Sequence, residues 1–452
     1  MLVSIGSRAR HRAEPVHGIV HELEIDAEQA TAHAGEDGSR RLIEVASVTL
    51  THPLRQSPVE SLDPFDRPPE HEITWTDPVT GSTGWLVVHT LVGGLATGGT
   101  RMRAGCTRNE VADLARCMAT KTAAFGLPVG GAKAGINHDP RSPEALGVLE
   151  RFLSDMRPWL DGSWVTAEDL GVAQSDIDEA FARLGLGQSY HAAISRAADP
   201  DRTLQRVRDG LAALAPDGVP LGDVIGGYGV AQACLGTATA QGWDPRLTSV
   251  AIQGIGTMGG GAAWYLHEAG VPVVAIADAA GTLFCPEGLD VPALLAARDH
   301  YGEIDRSTVP ADVVQLPRDA VLAMPADILV PAAVSYAVRS ASAPDIRARA
   351  VVEAANSATT PEAEEELAAR GIPVIPDFVA NAGAAAWAWW LLQGQVGTDP
   401  EVSFQRLRTE MRGKVAHMLA EWNDSGVTPR RSAWGFAAAN LQALAGREIS
   451  IP

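Results

Sequence analysis

Short apolar runs separated by helical stretches set the pattern of the second half of the chain. Val250–Gln253, Val273–Ala277, Ile328–Val330, Val351–Glu353 and Val374–Ile375 are too short for helices and too continuous for half-exposed strands. Runs of that kind predict buried parallel strands. The alternation of strand and helix starts at about Glu72, which predicts an α/β fold. One early helix is well marked. Thr107 followed by Glu110 reads as a capping box, and Val111, Leu114, Met118 and Lys121 then share one helical face. Gly126 and Pro128 end it. Lys121 therefore points toward a core, where a lysine needs an anionic partner. The span Ala197–Leu214, with Arg202, Arg206 and Arg208, reads as an extra polar helix inserted between the two halves. Before residue 72, Ile19–Ile25 and Leu42–Leu50 read as short strands among Gly, Ser and Pro clusters, a partly ordered extension.

Composition narrows the function classes. A length of 452 residues favours two domains, and 46% hydrophobic with 20% charged residues is ordinary globular usage. The net charge of -19 disfavours nucleic acid and anionic membrane as partners. No apolar run approaches the ~20 residues of a membrane span. Arg8, Arg10 and Arg12 have no apolar segment behind them, so the N-terminus does not read as a signal peptide and a cytoplasmic location is expected. Cys106, Cys117, Cys234 and Cys285 are scattered without metal-ligand or redox spacing, which predicts reduced thiols and no metal site.

Two groups of residues carry chemistry. Gly254-Ile255-Gly256-Thr257-Met258-Gly259 follows the run Ser249–Gln253 and opens an Ala-rich helix. In that context the glycines allow a tight turn, close approach to a pyrophosphate and packing of helix on strand, while the helix N-terminus favours phosphate. Asp278 ends the next strand, where a carboxylate accepts from the ribose hydroxyls of NAD and repels the 2′-phosphate of NADP. The cofactor expected is NAD, with NADP possible. The other reading of Asp278 is a strand-end turn residue before Gly281. The second group begins at Gly130-Gly131-Ala132-Lys133-Ala134-Gly135, soon after Lys121, and continues at Thr166-Ala167-Glu168-Asp169 after a strand-like Ser163–Val165. Burial among glycines and a neighbouring cation both push Lys133 toward a usable base. Read singly, Lys133 fits a surface turn and Asp169 a helix cap.

Taken in order, these segments resemble the glutamate/leucine/phenylalanine/valine dehydrogenase family, as a divergent member closest to its leucine/phenylalanine branch. The resemblance rests on Gly98-Gly99-Thr100-Arg101-Met102, Met118-Ala119-Thr120-Lys121, Gly130-Gly131-Ala132-Lys133 and Thr166-Ala167-Glu168-Asp169. It continues through Gly227-Tyr228-Gly229-Val230, the glycine loop, Pro331-Ala332-Ala333, Glu353-Ala354-Ala355-Asn356, Pro376-Asp377 and Asn381-Ala382-Gly383. It covers the chain apart from the N-terminal extension and the insert near residue 205.

The resemblance implies two α/β domains. A substrate and dimerisation domain would span 73–222 and a Rossmann domain with a doubly wound parallel sheet 223–380, with helices of 381–452 returning to the first. It implies reversible oxidation of an L-amino acid to a 2-oxo acid and ammonia by a homo-oligomer. By the same resemblance Lys121 binds the substrate carboxylate, Lys133 activates water, and Asp169 exchanges protons with the amine. Asn356 and Asn381 lie near nicotinamide and substrate. Thr97, Gly98, Ala167, Ala385 and Ala388 surround the substrate. Glutamate dehydrogenases carry a lysine at the position of Thr97 and a serine at that of Ala388. Their replacement here predicts a bulky, uncharged substrate side chain. The alternatives are a glutamate dehydrogenase and a non-catalytic dinucleotide-binding homologue.

Overall fold

A computed structural model describes residues 63–299, 302–447 and 449–452. The strands expected at Ile19–Ile25 and Leu42–Leu50 lie outside the described residues. Two sheets organise the rest. The first has the order β1-β2-β5-β3-β6, with β4 also paired to β5. Its strands are β1 (His71–Thr76), β2 (Thr83–Thr90), β3 (Ala96–Thr97), β4 (Thr100–Met102), β5 (Gly130–Asn137) and β6 (Trp164–Val165). Pairs β1/β2 and β2/β5 are antiparallel, whereas β3 and β4 run parallel to β5.

Residue alternation along β5 decides how that sheet is covered. Ala132, Ala134 and Ile136 face one core with Leu86, Val88 and Phe152. That core includes α2 (Ala145–Asp155). The intervening Gly131, Lys133 and Gly135 face α1 (Arg108–Ala124) on the other side. A Cβ on Gly131 would stand 2.0 Å from the Ala119 amide nitrogen of α1. Helix α1 thus lies directly on the strand, and the Lys133 side chain is buried beneath it. Thr107 caps α1 by accepting from the Glu110 amide at 3.3 Å. Only half of the expected box forms, because the Glu110 carboxylate turns to Arg101 and Arg103. The buried face of α1 runs through Val111, Ala115, Ala119 and Thr122, while Leu114 and Met118 are only half-buried.

The chain then passes through α3 (Arg157–Leu160), α4 (Gln174–Arg183), α5 (His191–Ile194) and α6 (Pro200–Leu211). Helix α6 is the inserted helix. Its Arg206 donates to the Leu391 carbonyl at 3.0 Å and to that of Leu392 at 2.5 Å. The long, almost wholly buried α7 (Leu221–Ala240) leads into the second sheet.

That sheet has the order β10-β9-β8-β7-β11-β12-β13. The five expected runs are all strands: β7 (Val250–Gln253), β8 (Val273–Ala277), β11 (Ile328–Pro331), β12 (Ala350–Val352) and β13 (Val374–Ile375). They are mutually parallel. The expected all-parallel sheet is corrected at one edge. There β9 (Thr282–Phe284) and β10 (Val314–Leu316) add antiparallel strands, too short and polar to stand out as apolar runs. The remaining helices are α8 (Thr257–Glu268), α9 (Val291–Ala296), α10 (Pro361–Ala369), α11 (Asp377–Ala380), α12 (Gly383–Leu392), α13 (Pro400–Ser425) and α14 (Pro429–Leu444). Helices α8 and α13 pack on α7, and α14 returns to α1. All four cysteines are free thiols. Among the described residues no helix is long and apolar enough to cross a membrane.

Candidate active site

Strand order reverses on either side of β7, since β8 lies to one side and β11 to the other. The crevice beyond such a switch point is where open α/β sheets bind ligands. A cleft of about 840 Å³ opens there, lined by Gly254, Ile255, Gly256, Asp278, Ala333 and Arg339 among others. Gly254 has φ +96°, and a Cβ there would press on Ala333 at 2.8 Å. At Gly256 nothing lies within 4 Å of a Cβ position, so the backbone at the head of α8 is open to a ligand. Thr257 is exposed, Met258 half-buried and Gly259 buried against the Gly254 carbonyl. These features fit a dinucleotide pyrophosphate held by Gly254, Gly256 and the first turn of α8. Met258 also fills room next to Gly226. Its Sδ lies 2.8 Å from where a Cβ on that residue would stand.

Asp278 departs from expectation. It lines the cleft, but its side chain is 1% exposed and its oxygens are taken. Oδ1 accepts from the amides of Ala280 at 2.9 Å and Gly281 at 3.1 Å and is paired with Arg306. Oδ2 accepts from the Ile304 amide at 2.8 Å. The turn reading therefore describes its contacts, and a carboxylate free for ribose does not.

The second group assembles on the first sheet, on the face of β5 covered by α1. Lys133, 6% exposed, places Nζ 3.2 Å from Asp169 Oδ2. Arg101 Nε donates to that same oxygen at 2.7 Å and its Nη1 to Glu110 at 2.6 Å. Neither surface turn nor helix cap applies, since Lys133 lies within β5 and α4 is capped from Ala173. A hydrogen bond of 2.8 Å between the Thr100 and Thr166 hydroxyls ties the Asp169 loop to the sheet. Burial pulls the Lys133 pKa below its ordinary value. Asp169 opposes that shift, while Arg101 and Lys121 add to it. Burial raises Asp169, but Lys133 and Arg101 together outweigh it and hold the acid below the usual carboxylate range. The pair thus offers a carboxylate beside an amine that readily gives up its proton.

Arg101 was not singled out in the sequence beyond its place in a motif. Its partners are nine and 68 residues away, so no local spacing reveals them. The arginine lowers both neighbours electrostatically. Turnover dependent on unprotonated Lys133 should rise with pH, with a midpoint below that of a free lysine. Arg101→Met removes a positive charge, which favours protonation, so the midpoint should move to higher pH. Initial rates across pH for both forms check this; an unmoved midpoint refutes it.

On the other side, Lys121 Nζ donates to Asn356 Oδ1 at 3.3 Å, and Asn381 Nδ2 donates to that oxygen at 3.0 Å. Asn381 also donates to the Ala354 carbonyl at 3.1 Å, and its own buried Oδ1 has no partner among the described residues. Lys121 is 7% exposed. An ammonium has three donors, and among the described residues one hydrogen bond to protein is made, which leaves capacity for an anion. Thr97 donates its hydroxyl to the Val165 carbonyl at 3.3 Å. Gly98 accepts from Trp164 Nε1 at 3.0 Å, and Ala167 accepts from the Thr100 amide at 2.9 Å. Ala384, Ala385 and Ala388 of α12 are half-buried, while Trp387, Trp389 and Trp390 are buried. All three tryptophans are core residues. Trp387 bonds Ser403 at 3.2 Å, and Trp390 packs on Phe125.

A third cluster was missed by sequence reasoning. Arg430, at the start of α14, meets Glu353 at 2.7 Å, Glu364 at 2.6 Å and Asp377 at 3.4 Å. Burial pushes Glu353 up to about 7; Arg430 opposes the rise, and Asp377 and Glu364 add to it.

Fold and site together define a two-domain, dinucleotide-dependent dehydrogenase acting on a CH–NH2 group. A family model described as Glutamate/Leucine/Phenylalanine/Valine dehydrogenase matches residues 218–445, and one for the Glu/Leu/Phe/Val dehydrogenase dimerisation domain matches 69–184. The chain belongs to this family. A glutamate dehydrogenase of Thermotoga maritima is 34% identical over 68% of this chain and 71% of its own. The catabolic NAD-specific glutamate dehydrogenase RocG of Bacillus subtilis is 30% identical over 73% and 75%. The solved hetero-hexameric glutamate dehydrogenase of Thermus thermophilus, in a leucine-bound form, superposes with a TM-score of 0.67 at 28% identity. That match covers 85% of this chain and 91% of the other. These relatives are glutamate dehydrogenases, whereas the motifs alone suggested the leucine/phenylalanine branch.

Proposed function

We propose that this enzyme oxidatively deaminates an L-amino acid with a bulky, uncharged side chain, reversibly, to the 2-oxo acid and ammonia. The observation that carries the reading is that Thr97, Ala167, Ala385 and Ala388, the positions that the resemblance puts around the substrate, are small and carry no cation. A side-chain carboxylate placed there would lose hydration without gaining a partner. Lys121 holds the α-carboxylate and Asn356 steadies Lys121. Asp169, gripped through Oδ2, uses Oδ1 to exchange a proton with the amine. Lys133 takes a proton from the water that adds to the oxidised carbon, and ammonia departs. The bound dinucleotide supplies the hydride acceptor for Cα. Absorbance at 340 nm with a panel of L-amino acids tests the proposal, which fails if glutamate or alanine gives the highest kcat/KM. The names of the relatives favour a second reading, a glutamate dehydrogenase, and the same panel decides between them. A cytoplasmic homo-oligomer is part of the proposal, checked by fractionation and sedimentation.

The proposed cofactor is NAD, as named for the Bacillus relative, with NADP also admissible because Arg306 neutralises Asp278. Arg306→Ala should remove the charge that neutralises Asp278 and raise the NAD/NADP ratio of kcat/KM by about tenfold or more, because the uncompensated carboxylate disfavours the 2′-phosphate of NADP. Steady-state kinetics with both cofactors check it. A constant ratio would show that Asp278 does not face the ribose.

A further inference from the structure

Ser357 follows Asn356 and has φ +49°, in the left-handed region that non-glycine residues rarely occupy. Such a residue persists only where its surroundings over-determine it. Here the restraints can be named. Its amide donates to Asp377 Oδ2 at 2.8 Å, and its carbonyl accepts from the Tyr336 amide at 2.8 Å. Asp377 is 3% exposed and Glu353 fully buried. Glu353 Oε1 accepts from the Thr359 amide at 2.7 Å, and its Oε2 accepts from the Asp377 amide at 3.0 Å. The two carboxylates therefore hold the backbone just after Asn356, at Ser357 and Thr359, and Glu353 also holds the start of α11, the helix that ends before Asn381. Both are gripped by one arginine from a distant helix, Arg430.

We infer that Arg430 is a positioning residue for the reaction: by holding Glu353 and Asp377 it keeps Ser357 left-handed and fixes Asn356 against Lys121. The guanidinium is suited to this because its planar fork presents separate N–H groups to separate carboxylates, which a lysine ammonium does less well. Glu364, its third partner, accepts no backbone amide of these loops, so its contribution is to pair charge alone. The inference rests on the reading of Lys121 and Asn356 as substrate-holding groups.

The test compares Arg430→Lys, Ser357→Gly, their combination, Glu364→Gln and Asn356→Ala in the full chain. Read-outs are kcat and KM for the best amino acid, NAD affinity by fluorescence titration, and thermal melting. Arg430→Lys should raise the amino-acid KM about tenfold or more and leave NAD affinity within twofold. Glycine adopts φ +49° without strain. Ser357→Gly should therefore restore much of that loss in the double variant, which a general loss of packing would not allow. Glu364→Gln should change KM less than twofold. The inference is overturned if Arg430→Lys leaves KM unchanged, if Ser357→Gly gives no rescue, or if Glu364→Gln matches the arginine variant. Should Arg430→Lys fail to fold, Asp377→Asn replaces it, with the same KM rise and rescue expected, and their absence overturns the inference. Asn356→Ala separates the two levels. If it leaves KM unchanged, the underlying site reading fails; if it raises KM while Arg430→Lys does not, only the inference fails.

Discussion

Lys133→Ala should lower turnover by about 10²-fold or more while NAD affinity stays the same, as loss of a general base usually does. The argument begins with the strand. Alternation along β5 sends Lys133 to the α1 face, and Gly131 and Gly135 on either side let the helix close over it. The amine ends 3.2 Å from a carboxylate that Arg101 also holds. Burial lowers its pKa, so the amine gives up its proton at lower pH than a free lysine does. The dinucleotide loop follows a strand of the other sheet, at Gly254–Gly259, so binding of NAD should not sense the change. Stopped-flow and steady-state rates at 340 nm, with NAD titration by fluorescence, provide the check. Unchanged turnover would falsify the assignment. A parallel loss of NAD affinity would instead mark Lys133 as a structural group.

Ala388→Leu should shift preference toward smaller substrate side chains, by the ~10–200-fold that a few methylenes discriminate in an apolar pocket. Helix α12 carries residues of two kinds. Trp387, Trp389 and Trp390 are buried, while Ala384, Ala385 and Ala388 stay half-buried. The tryptophans anchor the helix in the core, one through Ser403 and another against Phe125. Arg206 of the inserted helix α6 binds the last carbonyls of α12. A helix held by these contacts has little freedom to retreat from an added isobutyl group, so the added volume should come out of the substrate's space. The ratio of kcat/KM for a long and a short aliphatic amino acid, measured in both forms, decides the matter. An unchanged ratio would remove Ala388 from the pocket.

Much of the framework was legible along the chain because it depends on local physics. Strands β7 and β8 fall where continuous apolar runs between turn residues placed them. The turn at Gly254 needs a positive φ, and the head of α8 needs an open backbone; both requirements are written in one short glycine pattern. Thr107 caps its helix because the bond it makes spans three residues. The lysines were legible as chemistry because a cation on an apolar face or among glycines conflicts with ordinary burial.

What the sequence by itself determined, then, is the α/β class, the position of the glycine turn after β7 and which residues are candidates for the chemistry. The tertiary structure decided which partner each polar group takes. Glu110 had the spacing of a capping box, yet its carboxylate joined Arg101 and Arg103. Asp278 stood at the ribose position, yet Arg306 and three backbone amides fill its oxygens. Trp387, Trp389 and Trp390 of α12 all went to the core. Arg430 carries no local signal, because its carboxylates lie 53 to 77 residues away in sequence. The reason is common to these cases. A cap, a turn or an apolar period is satisfied within a few residues, so composition and spacing reveal it. A buried charge is satisfied only by whatever opposite charge the completed fold brings within hydrogen-bond reach, and that pairing is set by the packing of elements far apart in the chain.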